Sequence, residues 1–204
     1  MKALPQNHDV CFYEAGRFPA GTIAIFLFEG LATGESAVVV ASASHASLIR
    51  TELSRLRGTL AQPSKNKTFF VDTSIMADAL LVGEPVEKVL ERNLTPTVQD
   101  ARSHSSTGHI RLYGELSDVM MRLHKPEIAM ALEKYGVRNS ADGKTKIHCG
   151  YSGDAFPDAT FARPFTRICL LHDQIFAQLT DHMDWRFRMA EGIHRARSEA
   201  RPKD

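Results

Sequence analysis

The sequence predicts a single α/β domain with an open, mostly parallel sheet and helices on both faces. Short segments rich in β-branched residues alternate along the chain with longer segments of helical periodicity. One strand segment, "SAVVVAS" (36–42), is apolar without alternation, which is typical of a parallel strand buried on both faces. The 204 residues, 43% of them hydrophobic, suffice for one sizeable core. We therefore expect a three-layer domain over residues 1–180, followed by a basic helix or tail at 181–204.

The strands and helices can be assigned in order from these patterns. Strands are predicted at 9–14, 36–42, 67–74, 109–115 and 146–152, each a short apolar run bounded by polar or turn residues. Helices are predicted at 22–35, 44–60, 84–104, 116–123, 126–136 and 165–179.

Particular residues support several of the helices. The helix at 22–35 is apolar on most of its circumference and stops at Gly34. The next carries an apolar stripe at Ile49, Leu53, Leu56 and Leu60. Proline cannot donate a backbone hydrogen bond, so Pro96 should disturb the helix at 84–104. The helix at 126–136 begins with Pro126 and should close at Gly136.

Composition narrows the class of protein. The 25 Lys and Arg nearly balance the 24 Asp and Glu, which argues against direct nucleic-acid binding. The three cysteines, Cys11, Cys149 and Cys169, form no Cys-x-x-Cys pair and suit a reducing compartment. The longest apolar run, "AGTIAIFLF", has nine residues and is too short for a membrane span, and the first residues do not resemble a signal peptide. We expect a soluble cytoplasmic protein with no membrane contact.

A degenerate phosphate loop follows the first predicted strand. "GRFPAGT" contains Gly16, Gly21 and Thr22 in the spacing of the Gly-x4-Gly-Lys-Thr loop, but the lysine is missing. Because that lysine meets the phosphate charge, we expect no ATP hydrolysis and at most weak ATP binding. Arg17 is an alternative cation, although the spacing does not require it.

The histidines and cysteines suggest metal ligands only in part. Three pairs lie close in sequence, namely His8–Cys11, His148–Cys149 and Cys169–His172. The last pair could share a helix face, whereas neighbours on a strand point apart. We therefore expect no stoichiometric metal and interpret the cysteines as small buried hydrophobes, with ATP or a metal left open as a cofactor.

Short motifs in a fixed order point to a family. "NHDVCFYE", "FLFEGLATGESAVVVAS", "RLYGELSDVMMR", "ALEKYG", "HCGYS" and "ICLLHDQIF" together resemble the MEDS domain, the sensory domain named for the dichloromethane-responsive regulator DcmR of methylotrophs. The resemblance covers about residues 7–178. It implies a RecA- and KaiC-like fold that has lost the phosphate loop, and it implies sensing of small organic molecules.

The resemblance also carries site residues to matching positions. It implies that five polar residues line a rim at the strand ends and bind the ligand, these being His8, Tyr13, Glu115, Tyr151 and His172. If parallel strands one, four and five are adjacent, such residues would meet at the carboxyl edge of the sheet. A second interpretation of Glu115 is a helix N-terminal acid at the helix beginning with Leu116. We expect His45, His182 and His194 to be exposed.

Three functions compete on this evidence. The first is a stand-alone sensory module that binds a small organic ligand, performs no catalysis and signals through a separate kinase or transcription factor, with a homodimer left open. The second is a divergent ATPase-like enzyme that uses Glu115 or Asp72, although it would need a phosphate cradle. The third is a purely structural interaction domain.

Overall fold

A computed structural model of the chain describes residues 7–58, 67–178, 186 and 189–193. In these residues six parallel strands form one sheet in the order β3-β2-β4-β5-β1-β6. The strands are β1 (His8–Tyr13), β2 (Ser36–Ala41), β3 (Thr68–Asp72), β4 (Ile110–Gly114), β5 (Thr145–Ser152) and β6 (Gln174–Gln178). The predicted adjacency of strands one, four and five is confirmed.

Helices cover both faces of this sheet. They are α1 (Ala20–Ala32), α2 (Ala43–Arg57), α3 (Thr73–Leu81), α4 (Val86–Asn93), α5 (Thr95–His104), α6 (Leu116–Arg122), α7 (Pro126–Ser140) and α8 (Ala162–Leu171). Helices α1 and α2 pack on one face and share a core with it. Helices α3 to α8 contribute to the core on the other face. The predicted three-layer α/β class is thus confirmed.

Strand β2 shows why the sequence produces two cores. Its six residues are all buried. Side chains alternate along a strand, so Val38 and Val40 enter the core beneath α3 to α8, while Ala37 and Val39 enter the core beneath α1 and α2. An apolar run without alternation is therefore explained by helices on both sides.

Two predicted helices differ from the structure, and one helix of the structure was not predicted. Helix α3 was not predicted, and α7 continues through Gly136 to Ser140 instead of ending there. The predicted helix at 165–179 is wrong in its second half, because α8 ends at Leu171 and β6 follows, paired in parallel with β1. The disturbance at Pro96 is confirmed, since one helix ends at Asn93 and the next begins at Thr95.

Strand β6 begins at a turn tied to the start of β1. Asp173 donates its backbone N–H to the carbonyl of His8 at 2.6 Å. Its carboxylate accepts hydrogen bonds from the backbone N–H groups of Asn7 and His8, at 3.0 and 3.1 Å. These contacts stop the helix and direct residues 174–178 into the sheet.

Two expectations fall partly beyond the part of the chain that is described. Leu60 and most of the predicted basic tail at 181–204 lie outside it, as do His182 and His194. Within the described ranges, no helix is long and apolar enough to cross a bilayer.

Candidate functional site

The five predicted site residues do not meet at one edge of the sheet. His8 and Tyr13 are five residues apart on β1, so the alternation of a strand sends their side chains to opposite faces. His8, Tyr151 and His172 gather beneath α7, whereas Tyr13 and Glu115 belong to a second group near α1 and α2. The prediction of a single rim is therefore wrong in its geometry.

The first group, the Glu133 cluster, consists of Glu133, His8, His172, Cys149 and Tyr151, all of them buried. Oε2 of Glu133 lies 3.4 Å from Nε2 of His8 and 3.1 Å from Nε2 of His172. The Cys149 thiol is 3.5 Å from the same oxygen and 3.4 Å from Nε2 of His8. Tyr151 donates its hydroxyl to the other carboxylate oxygen, Oε1, at 2.5 Å.

Four separate elements deliver these side chains. His8 begins β1, Glu133 lies in the middle of α7, Cys149 and Tyr151 lie two residues apart on β5, and His172 caps the end of α8. The two residues of β5 share a face because side chains alternate along a strand. The ring centroids of His8 and His172 are 4.0 Å apart.

Gly136 makes room for this arrangement. A Cβ atom at this position would lie 3.0 Å from Nε2 of His8 and 3.2 Å from its Cε1. The glycine that the sequence indicated as a helix end is thus a point of close approach between α7 and β1.

Burial and charge shift the pKa values in the cluster. Burial alone would raise the pKa of Glu133, but the imidazoles of His172 and His8 hold it well below its usual range. Burial, together with the Glu133 charge, raises the pKa of the Cys149 thiol and of the Tyr151 hydroxyl well above their usual values. Cys149 is therefore an inert thiol unless a cation displaces its proton.

A cavity of about 250 Å³ adjoins the cluster between the sheet and helices α4, α5 and α7. His8, Glu133 and Cys149 form part of its wall. Much of the remainder is aliphatic, including Val40, Leu90, Leu94, Val98, Leu112 and Ile147. An apolar space with a few polar groups at one side is typical of a small-molecule site.

The second group centres on Glu115, which follows β4. Oε1 of Glu115 accepts the backbone N–H of Ser42 at 2.7 Å, and Oε2 lies 2.7 Å from Nδ1 of His45 and 3.4 Å from the hydroxyl of Tyr113. Ser42 is the N-cap of α2, so this carboxylate stabilises the start of α2. Glu115 is also the N-cap residue of the helix beginning at Leu116, as the second interpretation expected, although its side chain makes no capping hydrogen bond there.

Phe18, from the degenerate phosphate loop, covers the Glu115 group. Its ring stacks on His45 with centroids 3.7 Å apart and meets Tyr13 edge-on at 5.7 Å. His45 is consequently only 26% exposed, so its predicted exposure is wrong. Arg17 pairs with Glu14 at 3.0 Å. The loop presents an aromatic ring where a phosphate loop presents backbone N–H groups and a lysine.

The remaining candidates have structural positions. Cys11 and Cys169 are buried and lie outside the Glu133 cluster, and His148 packs beside Phe26 on the α1 side of the sheet. Asp72 caps α3 by accepting the N–H of Ser74 at 2.8 Å. None of the neighbouring pairs seen in the sequence forms a site as a pair.

Glu133 was missed by the sequence reasoning, although a signal existed. Ala129, Leu132, Glu133 and Gly136 follow the spacing of one helix face, so the buried stripe of α7 contains an acid. A carboxylate on a buried stripe needs partners, and histidines and a tyrosine supply them.

Comparison with known proteins does not identify the chain. No family model matches it, and no curated protein matches it at a significant level.

Proposed function

We propose that this chain is a sensory module that binds a small organic molecule in the cavity beside the Glu133 cluster. The cavity is the observation that supports this proposal best. Its volume of about 250 Å³ lies just below the usual range of ligand sites, about 300–1,000 Å³. That size suits a compact molecule of a few carbon atoms better than a nucleotide.

The wall chemistry supports the same class of ligand. Aliphatic side chains from β2, α4 and α5 would cover a hydrocarbon portion, while His8 offers hydrogen bonding. Nδ1 of His8 is buried and has no hydrogen-bond partner among the described residues. An unsatisfied buried polar atom costs about 1–3 kcal/mol, so a ligand that bonds to this nitrogen would gain from removing that cost.

Nucleotide hydrolysis finds less support in the geometry. Both oxygens of Glu115 already have protein partners, and Phe18 stacks over the His45 ring beside them. A catalytic carboxylate for phosphoryl transfer must instead hold magnesium or orient a nucleophile. Isothermal titration with magnesium ATP should therefore show weak binding or none, and turnover lost in Glu115→Gln would contradict the proposal.

The direct test fills the cavity. Compounds from a library of short alcohols, ketones and halogenated hydrocarbons are screened by thermal shift against the parent protein. Val98→Phe, on α5 in the cavity wall, should abolish the shift produced by any compound found, because the larger ring occupies the ligand volume.

Val82→Phe is the matched control, since Val82 is 81% exposed and outside the cavity. It should keep the ligand-induced shift of the parent. An equal shift in Val98→Phe and the parent would place the ligand elsewhere, and no shift with any compound would contradict the proposal.

The same proposal includes a way in which ligand binding is passed on as a signal. Ligand binding would alter contact with a separate kinase or transcription factor, or between two copies of the chain. Light scattering with and without the identified ligand tests the second of these routes, and a ligand-dependent change in mass would support it.

A further inference from the structure

We propose that His8, Glu133, Cys149 and His172 bind a divalent transition-metal ion, with Zn²⁺ as the best fit. Their ligand atoms are two imidazole nitrogens, one carboxylate oxygen and one sulfur, and all lie within 4.8 Å of one another. These are the ligand types that zinc prefers in proteins. The site is separate from the ligand proposal, because it needs no molecule in the cavity.

Four of the six distances between the ligand atoms are close to those of a tetrahedral site, and the other two are at most 4.8 Å. Zinc lies about 2.0–2.1 Å from imidazole nitrogen and about 2.3 Å from sulfur, which puts neighbouring ligand atoms about 3.3–3.6 Å apart. In the cluster the Glu133 oxygen lies 3.1 Å from His172 Nε2, 3.4 Å from His8 Nε2 and 3.5 Å from Cys149 Sγ. Sulfur and His8 Nε2 are 3.4 Å apart. Only small movements are needed to place an ion between them.

Outer contacts already orient two of the ligands. Nδ1 of His172 lies 2.7 Å from the carbonyl oxygen of Ile168, which can only accept, so Nδ1 carries a proton and Nε2 is the nitrogen that faces the cluster. Tyr151 holds Oε1 of Glu133 and so leaves Oε2 for an ion. Metal-binding histidines and carboxylates are held by partners of this kind.

Charge balance also favours a divalent ion. Binding takes Cys149 as a thiolate and both histidines as neutral imidazoles, so the thiol proton and any proton on a ligating nitrogen are released to solvent. One thiolate and one carboxylate then neutralise the two positive charges of the ion. A buried site without net charge avoids the cost of burying an unbalanced charge.

Histidines and cysteines that are neighbours along the chain do not form a complete set of metal ligands. The four residues come instead from β1, α7, β5 and the end of α8, so no short spacing reveals them. His8, Glu133 and Cys149 also line the cavity, which places the ion at its wall.

Cobalt provides the test. The chain is purified without a histidine tag, stripped with a chelator and titrated with Co²⁺, then with Zn²⁺. We expect one equivalent of Co²⁺ to give a thiolate charge-transfer band in the near ultraviolet and the intense visible bands of tetrahedral cobalt, both removed by Zn²⁺. If the parent protein lacks the charge-transfer band at one equivalent, the proposal is wrong.

Variants identify the ligands. Cys149→Ser should remove the charge-transfer band and weaken binding at least tenfold, and His172→Ala should also weaken it at least tenfold. Cys11→Ser is the matched control, because Cys11 is buried on β1 outside the cluster, and it should keep the parent spectrum. A Cys149→Ser protein that retains the band, or a Cys11→Ser protein that loses it, would overturn the assignment. If the Cys149 variant does not fold, the parent spectrum together with His172→Ala decides the question.

Discussion

Two glutamates, Glu115 and Glu133, are each surrounded by histidine and tyrosine, yet the two groups differ in what their geometry permits. Around Glu115 the donors approach both oxygens from different sides, and one of them is the backbone of Ser42 at the start of α2. Around Glu133, one of its own oxygens and three ligand atoms of its neighbours lie within 4.8 Å of one another. The same residue types therefore form a helix-stabilising contact in one place and a potential binding site in the other.

The largest expected effect comes from removing the centre of the buried cluster. Glu133→Ala leaves two histidines, a thiol and a tyrosine without their acceptor, and loss of one partner of a buried ion pair costs about 3–5 kcal/mol. Urea denaturation measures the change in the free energy of unfolding. Glu127→Ala, an exposed position on the same helix, should change it by no more than about 0.5 kcal/mol. Similar values for the two variants would contradict the stabilising role of the Glu133 cluster.

The next largest effect should appear as pH dependence at His148, which neighbours Cys149 but faces α1. Burial, with a smaller contribution from His172, lowers the pKa of His148 to about 4. As the pH falls, His148 takes up a proton in the unfolded chain before it does so in the folded protein. The stability that neutral His148 contributes is therefore complete above about pH 6.5 and is lost as the pH falls towards 4. We expect a loss of about 1–3 kcal/mol across that range. His148→Phe should flatten this part of the pH–stability curve, and an unchanged slope would contradict the assignment.

A smaller effect is expected at the first glutamate. Glu115→Gln keeps the shape of the side chain but removes the charge that His45 and the Ser42 N–H share, so we expect a loss of about 1–2 kcal/mol in the free energy of unfolding. The cobalt spectrum should not change in this variant. A lost spectrum would show that the two groups are one coupled site.

The smallest effect tests the close approach at Gly136. Alanine usually stabilises a helix interior by about 0.8–1.0 kcal/mol relative to glycine. At this position its Cβ would press on His8, so we expect a net destabilisation of about 1 kcal/mol. In a His8→Ala background the sign should reverse. Gly21→Ala, where the same atom meets nothing within 4 Å, is the control and should not destabilise the protein.

The fold could be predicted from the sequence because the spacing of apolar residues indicates which side of each strand or helix is buried. Strand β2 and the break at Pro96 depend on residues close in sequence. Strand β6 could not be predicted in this way, since "QIFAQ" follows a helical pattern without a proline or glycine between them. Its structure depends on contacts with β1, such as the hydrogen bond between His8 and Asp173, which are 165 residues apart in the sequence.

The candidate site was predictable only in part for the same reason. His8, Tyr151 and His172 were expected, and the structure brings them together, but around a glutamate on α7 that was missed. His8 and Tyr13 are an odd number of positions apart on β1, so the sequence already predicts that their side chains lie on opposite faces of the sheet. Which helix then covers each face depends on packing between distant segments, and no local pattern encodes that.

The place of β1 in the sheet has a consequence for how the molecule is made. The first strand lies between β5 and β6, the last two in the described sequence. It therefore has no partner until residues 145–152 have been synthesised, and it gains the second only with residues 174–178. A chain emerging from the ribosome can assemble β2, β3 and β4 with their helices well before that point. His8 must wait for Cys149 and His172, and the Glu133 cluster therefore forms last. Pairings between such distant segments slow folding, so a chain truncated before residue 172 should lack both the cluster and a partner for one edge of its first strand.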